Sequence, residues 1–131
     1  MSPDLKYLLL STLLCFVQVV ITAIGANMQV SLPTLAGNRE GLPEFKGWTG
    51  RAKRAHANMV ENLVLFAALV LIAAVAGKAN AMTALGAAIF FWARLAYAAI
   101  YIAGIAWLRT LVWFVSVIGM ALIAIELLKA M

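Results

Sequence analysis

Four apolar runs, each close to the length of a bilayer crossing, dominate this sequence. They cover Tyr7 to Ala26, Asn62 to Gly77, Ala81 to Ala103 and Thr110 to Leu128. A transmembrane helix needs about 20 mostly apolar residues, so the second run must recruit part of the charged block before it. Of the 131 residues, 66% are hydrophobic and 11% are charged, a balance that excludes an ordinary soluble domain. The sequence therefore predicts an integral membrane protein.

The predicted fold is all-α: a single membrane domain over residues 1–131 that forms a four-helix up-down transmembrane bundle. Short connections at 78–81 and 104–108 favour antiparallel neighbours. The longer segment 29–49 carries Pro and Gly at intervals that predict turns, not a folded unit. No GxxxG motif occurs within a span, so the sequence does not indicate how the helices pack. The predicted spans are about 6–27, 50–77, 81–103 and 108–129.

Basic residues flanking the spans predict the orientation in the membrane. Six lie on the side of the long first loop and three on the opposite side: Arg39, Lys46, Arg51, Lys53, Arg54 and Arg109 against Lys6, Lys78 and Lys129. This imbalance places the loop in the cytoplasm and both termini on the non-cytoplasmic side. We expect a bacterial inner-membrane protein. Its net charge of +5 reflects topology and anionic membrane lipids, with no nucleic acid as a partner.

A charged, hydrogen-bonding block from Arg51 to Asn62 leads directly into the second span. At about 100° per residue, Arg54, Asn58 and Glu61 lie within roughly 80° of one another on a helix. His56 falls on the other side. Polar groups that enter a bilayer are costly, so this stripe indicates a function.

The third span carries Arg94, Tyr97 and Tyr101 along one helical face. A charge at that depth is costly, so we expect Arg94 to point into the bundle and to find a carboxylate. Glu61 is the only acidic residue in spans two or three, and we predict that the two interact, in a structural or a substrate-binding role. The two tyrosines fit either an interfacial belt or a polar cavity shared with Arg94.

Arg109 begins the fourth predicted helix, where the macrodipole is positive and free N–H groups favour an anion. It fits a simple interfacial arginine of the cytoplasmic side. It also fits an anion site built from a guanidinium and a helix N-terminus. A thiolate suits such a site, because nearby positive charge lowers a thiol pKa from about 8.5, at about 1.4 kcal/mol per pKa unit.

These residues resemble the MAPEG family, the membrane-associated proteins in eicosanoid and glutathione metabolism. The segment from Arg51 to Asn62 is similar to the R-x-[RK]-R-A-H-x-N-x-x-E-N signature of the microsomal glutathione transferase branch. The segment from Arg94 to Tyr101 resembles the family's R-x-x-[HY]-x-x-x-Y pattern, and Arg109 occupies the place of the arginine that opens helix four. The resemblance covers about residues 38–113.

The resemblance implies a homotrimer that binds glutathione, as a substrate, at the cytoplasmic edge between neighbouring subunits. Arg109 would stabilise the thiolate as the catalytic residue. No metal is needed. The implied glutathione-binding residues are Arg54, Asn58, Glu61, Arg94, Tyr97 and Tyr101, and further candidates from the motif are Arg51, His56 and Asn62.

The implied reaction is glutathione transfer to an apolar electrophile or reduction of a lipid hydroperoxide. Ala57 and Gly41 stand where the prostaglandin-forming branch has an arginine and an aspartate, and residues 26–29 lack that branch's basic cluster, so prostaglandin isomerisation is disfavoured. One alternative is a non-catalytic lipid-binding or scaffold protein of the same fold. Another is a small multidrug transporter, which the absence of an acidic residue in the first run disfavours.

Overall fold

The computed structural model describes residues 1–131 and contains helices but no strands. Four of its five helices are long and apolar enough to cross a membrane, which confirms the predicted all-α bundle. An even number of spans puts both termini at one edge, and which edge faces the cytoplasm stays a prediction. The helices are α1 (Pro3–Gln29), α2 (Leu32–Ala36), α3 (Gly47–Val75), α4 (Ala81–Ala103) and α5 (Ala106–Lys129).

Local sequence signals fix both ends of α4. The Asn80 side chain accepts hydrogen bonds from the backbone N–H groups of Met82 and Thr83, and the Asn80 N–H donates to the Thr83 hydroxyl. This reciprocal capping box starts the helix. Gly104 ends it with φ 87°, a left-handed conformation that glycine adopts without steric cost. The chain therefore reverses within two residues, and α5 packs antiparallel to α4.

The helices α4 and α5 form the most extensive contact of the bundle, whereas α1 packs on α3 and α4 and its backbone does not come close to that of α5. Gly86 of α4 and Gly119 of α5 meet at the crossing. A Cβ atom at Gly86 would lie 2.5 Å from the Gly119 carbonyl oxygen, and one at Gly119 would lie 2.6 Å from the Gly86 oxygen. Small residues allow two backbones this close. The contact pairs one glycine from each helix, so no motif within a single span reveals it.

An apolar core fills the part of the bundle remote from the long loop, which we call the apolar half. Its centre is Phe66 stacked on Phe90, with ring centroids 3.9 Å apart. Val70, Ala87 and Ile123 pack around this pair and are fully buried. The opposite part, formed by the start of α3, the end of α4 and the start of α5, is the polar half, and the candidate site lies there.

The short helix α2 corrects the expectation that segment 29–49 contains only turns. It runs from Leu32 to Ala36 with Pro33 at its second position, and Leu35 is buried. Two hydrogen bonds between the Gln29 side chain and the backbone of Lys46 join the two ends of the segment. The loop is thus folded back over the ends of α1 and α3.

Candidate functional site

Two arginines converge on one tyrosine at the loop-side edge of the bundle. Arg54 Nε donates to the Tyr101 hydroxyl at 3.3 Å, and the Arg109 guanidinium carbon lies 4.3 Å from the centre of the Tyr101 ring. The ring's negative face attracts a cation. Neither arginine forms an ion pair, because the sole salt bridge of the chain joins Glu126 and Lys129. Positive charge from α3 and α5 therefore meets at the end of α4 without a carboxylate to balance it.

A small cavity of about 200 Å³ opens beside this cluster. Side chains from three helices line it: Asn58, Tyr97, Arg109, Thr110 and Trp113. The Asn58 side chain is oriented by Asn62. The Asn62 Nδ2 atom donates to the backbone carbonyl oxygen of Asn58 at 2.8 Å and to the side-chain Oδ1 of Asn58 at 3.2 Å. The Asn58 Oδ1 atom accepts this bond, which leaves the side-chain NH2 group free to donate to a ligand.

Arg94 lies deeper in the bundle and is almost completely buried, with 1% of its surface exposed. Its guanidinium carbon is 4.2 Å from the centre of the Tyr97 ring. None of its three side-chain nitrogens has a hydrogen-bond partner within the chain. Arg94 thus adds a third unbalanced positive charge behind Tyr97, on the side of the cavity that faces the bundle interior.

The predicted interaction between Arg94 and Glu61 is wrong for the single chain. Glu61 is exposed and forms no salt bridge. The face of α3 that turns inward carries Met59, Asn62 and Phe66, and Glu61 lies about 100° away from Asn62 around the helix. The carboxylate therefore points out of the bundle while the guanidinium points in.

Five of the residues that were predicted from sequence to bind or activate glutathione form one cluster. Arg54, Asn58, Tyr97, Tyr101 and Arg109 meet through the contacts and the cavity described above. Arg94 adjoins them through Tyr97. Glu61 stands apart on the outer surface of α3.

Arg51 and His56 occupy different places. Arg51 Nε donates to the Ile102 carbonyl at 2.8 Å, where a cation stabilises the carbonyl groups that end α4. This bond ties the start of α3 to the end of α4 and so holds Tyr101 near Arg54. His56 is half-buried and lines a separate cavity between α1, α2 and α3.

Trp113 and Thr110 line the cavity but were not predicted from the sequence. Trp113 lies four residues after Arg109, on the same face of α5, and its indole nitrogen is buried without a hydrogen-bond partner. An indole N–H can only donate. The i, i+4 spacing from Arg109 is the signal that would have found it. With the Asn58 amide and Arg109, it makes the cavity rich in donors and suited to an anionic ligand.

Four helices long and apolar enough to span a membrane thus carry a donor-rich, cationic cavity at one edge of the bundle. The chain belongs to the MAPEG family, whose sequence profile matches residues 6–129. No similar sequence was found among the curated proteins. Family membership makes this an integral membrane protein of the group that includes glutathione transferases and related enzymes.

Proposed function

We propose that the protein is a membrane-bound glutathione transferase that also reduces lipid hydroperoxides with glutathione. The observation that carries the proposal is the convergence of Arg54 and Arg109 on Tyr101, beside a cavity lined by Asn58 and Tyr97. Glutathione has two carboxylates and an ionisable thiol, and the cluster offers cations and donors without a competing carboxylate. Charge-assisted hydrogen bonds of this kind are among the strong ones.

The exposed side chains of the stripe suggest how the peptide lies. Arg54 is exposed and takes a carboxylate, and the Asn58 amide donates to a peptide carbonyl or to the second carboxylate. Glu61, which faces outward, takes the ammonium group. Arg54 and Glu61 both lie on the outer surface of the chain, which supports a homotrimer whose sites form between subunits. Native mass spectrometry in detergent tests this assembly: a trimer is expected, and a stable monomer contradicts the intersubunit site.

Arg109 is the residue that we assign to catalysis. It stands in the first turn of α5, which begins at Ala106, so the guanidinium and the positive helix end act on the same anion. They hold the glutathione sulfur as a thiolate, and the released proton passes to solvent. The thiolate then attacks the electrophilic carbon, a C–S bond forms, and the leaving group departs with the electrons of its bond.

A hydroperoxide reacts at the same place. The thiolate attacks the terminal peroxide oxygen, the O–O bond breaks, and the alkoxide takes a proton to leave as the lipid alcohol. A second glutathione displaces water from the resulting sulfenic acid to form glutathione disulfide. The membrane supplies both kinds of apolar substrate next to the site, and proximity and electrostatic stabilisation supply the rate.

We also propose that the site faces the cytoplasm of a bacterial inner membrane. The support is the excess of basic residues on the loop side of the bundle, where the cluster lies. Glutathione would then reach the site from the aqueous side and the second substrate from the bilayer.

Turnover by the purified protein in detergent tests the function, with a halonitrobenzene for transfer and a lipid hydroperoxide for reduction. We expect Arg109→Ala to lower kcat by about 10²-fold, the usual loss when one preorganised donor to a developing anion is removed. Arg109→Lys, which keeps the charge, should retain more activity, and Lys78→Gln at the opposite edge should leave it unchanged. Full activity in Arg109→Ala contradicts the proposal. Bound lipid without any turnover of either substrate favours the non-catalytic alternative.

A further inference from the structure

A second cavity lies between α1, α2 and the first turns of α3, and its volume is about 440 Å³. This volume falls within the range of about 300–1,000 Å³ that is typical of small-molecule sites. Lys53 and His56 line it from α3, whereas Arg54 and Asn58 belong to the anion site. Neighbouring helix positions differ by about 100°, so the two sites lie on different faces of α3.

The cavity has an apolar wall and a cationic end. Val19 and Ala23 of α1 and Leu35 of α2 belong to the wall, and Arg39 and Lys53 supply the charge. No acidic side chain lines the cavity, and neither cation forms a salt bridge. The charge of this end is therefore unbalanced within the chain.

The cationic side chains are held in place by contacts with the chain. Arg39 has a left-handed backbone with φ 62°, which is uncommon for a residue with a side chain. This conformation folds the side chain back so that Nε donates to the Leu35 carbonyl at 2.6 Å, and its two terminal nitrogens have no protein partner. The Lys53 ammonium lies 5.3 Å from the centre of the Phe45 ring at the same cavity.

His56 adds a third polar group. Its Nε2 atom is buried and has no hydrogen-bond partner in the chain. Buried polar atoms are normally paired, so Nε2 in its protonated form calls for an acceptor on a ligand, and the two cations that line the same cavity favour an anionic one. A phosphate oxygen meets that requirement.

The length of the lining along α1 is comparable to the thickness of one membrane leaflet. From Val19 to Asn27 the lining residues of α1 extend over eight helical steps, or about 12 Å along the helix. Half of a hydrocarbon core of about 30 Å is about 15 Å. Val19 and Ala23 are also exposed on the surface of α1, so the wall is open to the surrounding acyl chains.

We propose that this cavity binds an anionic phospholipid of the surrounding bilayer. The phosphate contacts Arg39, Lys53 and His56, and one acyl chain lies along Val19 and Ala23. Basic pockets between transmembrane helices suit anionic headgroups, whereas a zwitterionic lipid has no net charge to offer. The bound lipid joins α1, α2 and α3, so it also fixes the loop that covers this side of the bundle.

Lipid retention measured by native mass spectrometry tests the proposal. The full chain is released from nanodiscs that contain phosphatidylglycerol and phosphatidylcholine in equal parts. We expect the wild type to retain phosphatidylglycerol preferentially. In the double variant Arg39→Gln/Lys53→Gln, the ratio of retained phosphatidylglycerol to phosphatidylcholine should fall by about 30-fold, since each basic group near an anionic surface raises the affinity roughly fivefold. The double variant Lys6→Gln/Lys78→Gln removes the same charge at the opposite edge and should keep the preference.

A second variant tests the same cavity independently, in case the charge variant has a folding defect. Ala23→Phe fills the apolar wall without changing any charge, and because Ala23 is exposed it leaves the core intact. It should lower the retention of both lipids at this site. Equal retention of the two lipids by the wild type overturns the proposal, as does an unchanged preference in Arg39→Gln/Lys53→Gln. Glutathione turnover by the same variants is expected to persist, so lipid binding and the proposed function can fail separately.

Discussion

The two halves of the bundle are formed by the same helices but differ in how closely those helices pack and in how their polar groups are paired. In the apolar half, Phe66 and Phe90 stack and the backbones of α4 and α5 touch at Gly86 and Gly119. In the polar half, side chains of α3, α4 and α5 line a cavity, and buried donors such as the Arg94 guanidinium have no partner. Tight packing at one end thus holds an open, unbalanced site at the other.

The tightly packed core and the candidate site thus occupy different parts of the same helices. At Gly86, the backbone of α4 packs against the backbone of α5. At Tyr101, near the other end of α4, the contact is between an aromatic ring and the guanidinium groups of Arg54 and Arg109. A buried charge without a partner is costly. The unpartnered cations of the polar half therefore carry a cost in stability that the apolar half does not, and the anionic ligand of the proposed function would offset that cost. Substitutions in the two halves should have effects of different kinds.

Phe66→Ala should break the apolar half most severely. Phe66 is fully buried and stacks on Phe90, and such truncations cost about 3–5 kcal/mol. Thermal unfolding in detergent should show a large loss of stability, while any protein that remains folded should bind glutathione with unchanged affinity. Leu65→Ala, on the exposed neighbour, is the matched control and should change little. Equal losses from both variants would mean that the core does not pack as described.

Gly86→Ala tests the crossing of α4 and α5. The added methyl group would lie 2.5 Å from the Gly119 carbonyl oxygen and 2.8 Å from Ile123 Cγ1, so the helices must move apart. Overpacking of this kind costs about 1–3 kcal/mol. Gly37→Ala serves as the control, since its new methyl group would make ordinary contacts of 3.5 Å or more. A melting temperature that is unchanged in Gly86→Ala would contradict the close approach.

Asn62→Ala should have the smallest effect, and it should appear in the polar half. The substitution removes the hydrogen bonds that orient Asn58, each of which contributes about 1 kcal/mol. We expect glutathione affinity to fall several-fold in isothermal titration calorimetry, together with a loss of stability of about 1–2 kcal/mol. Lower stability with unchanged affinity would assign Asn62 to packing alone.

Much of the fold follows from sequence because length and hydrophobicity along a single helix determine a span. The capping box at Asn80 and the left-handed Gly104 are equally local signals. The crossing of Gly86 and Gly119 could not be predicted, because it depends on two residues from different helices. The helix α2 is only five residues long and too short to show a periodic pattern.

The candidate site was partly predictable for the same reason. The angles between Arg54 and Asn58 on α3, and between Tyr97 and Tyr101 on α4, are properties of one helix. The predicted partner of Arg94 was wrong, because helical geometry gives the angle between residues on α3 but not which face of α3 meets α4. Buried polar residues of α1 were missed too: Asp4, Ser11 and Gln18 recur every seven positions among apolar neighbours. Their spacing was the available signal.

The most direct test of the central claim measures the glutathione thiol when it is bound in the polar half. Thiolate absorbance in the ultraviolet is followed against pH in the wild type and in Arg109→Ala, at saturating glutathione. Positive charge lowers the pKa of the bound thiol below its ordinary value of about 8.5, so the wild type should keep the thiolate signal at neutral pH and lose it only as the pH falls through the lowered pKa. Arg109→Ala should shift this transition to higher pH. Glutathione that binds without a thiolate signal at neutral pH, or a transition that Arg109→Ala leaves in place, would contradict the account.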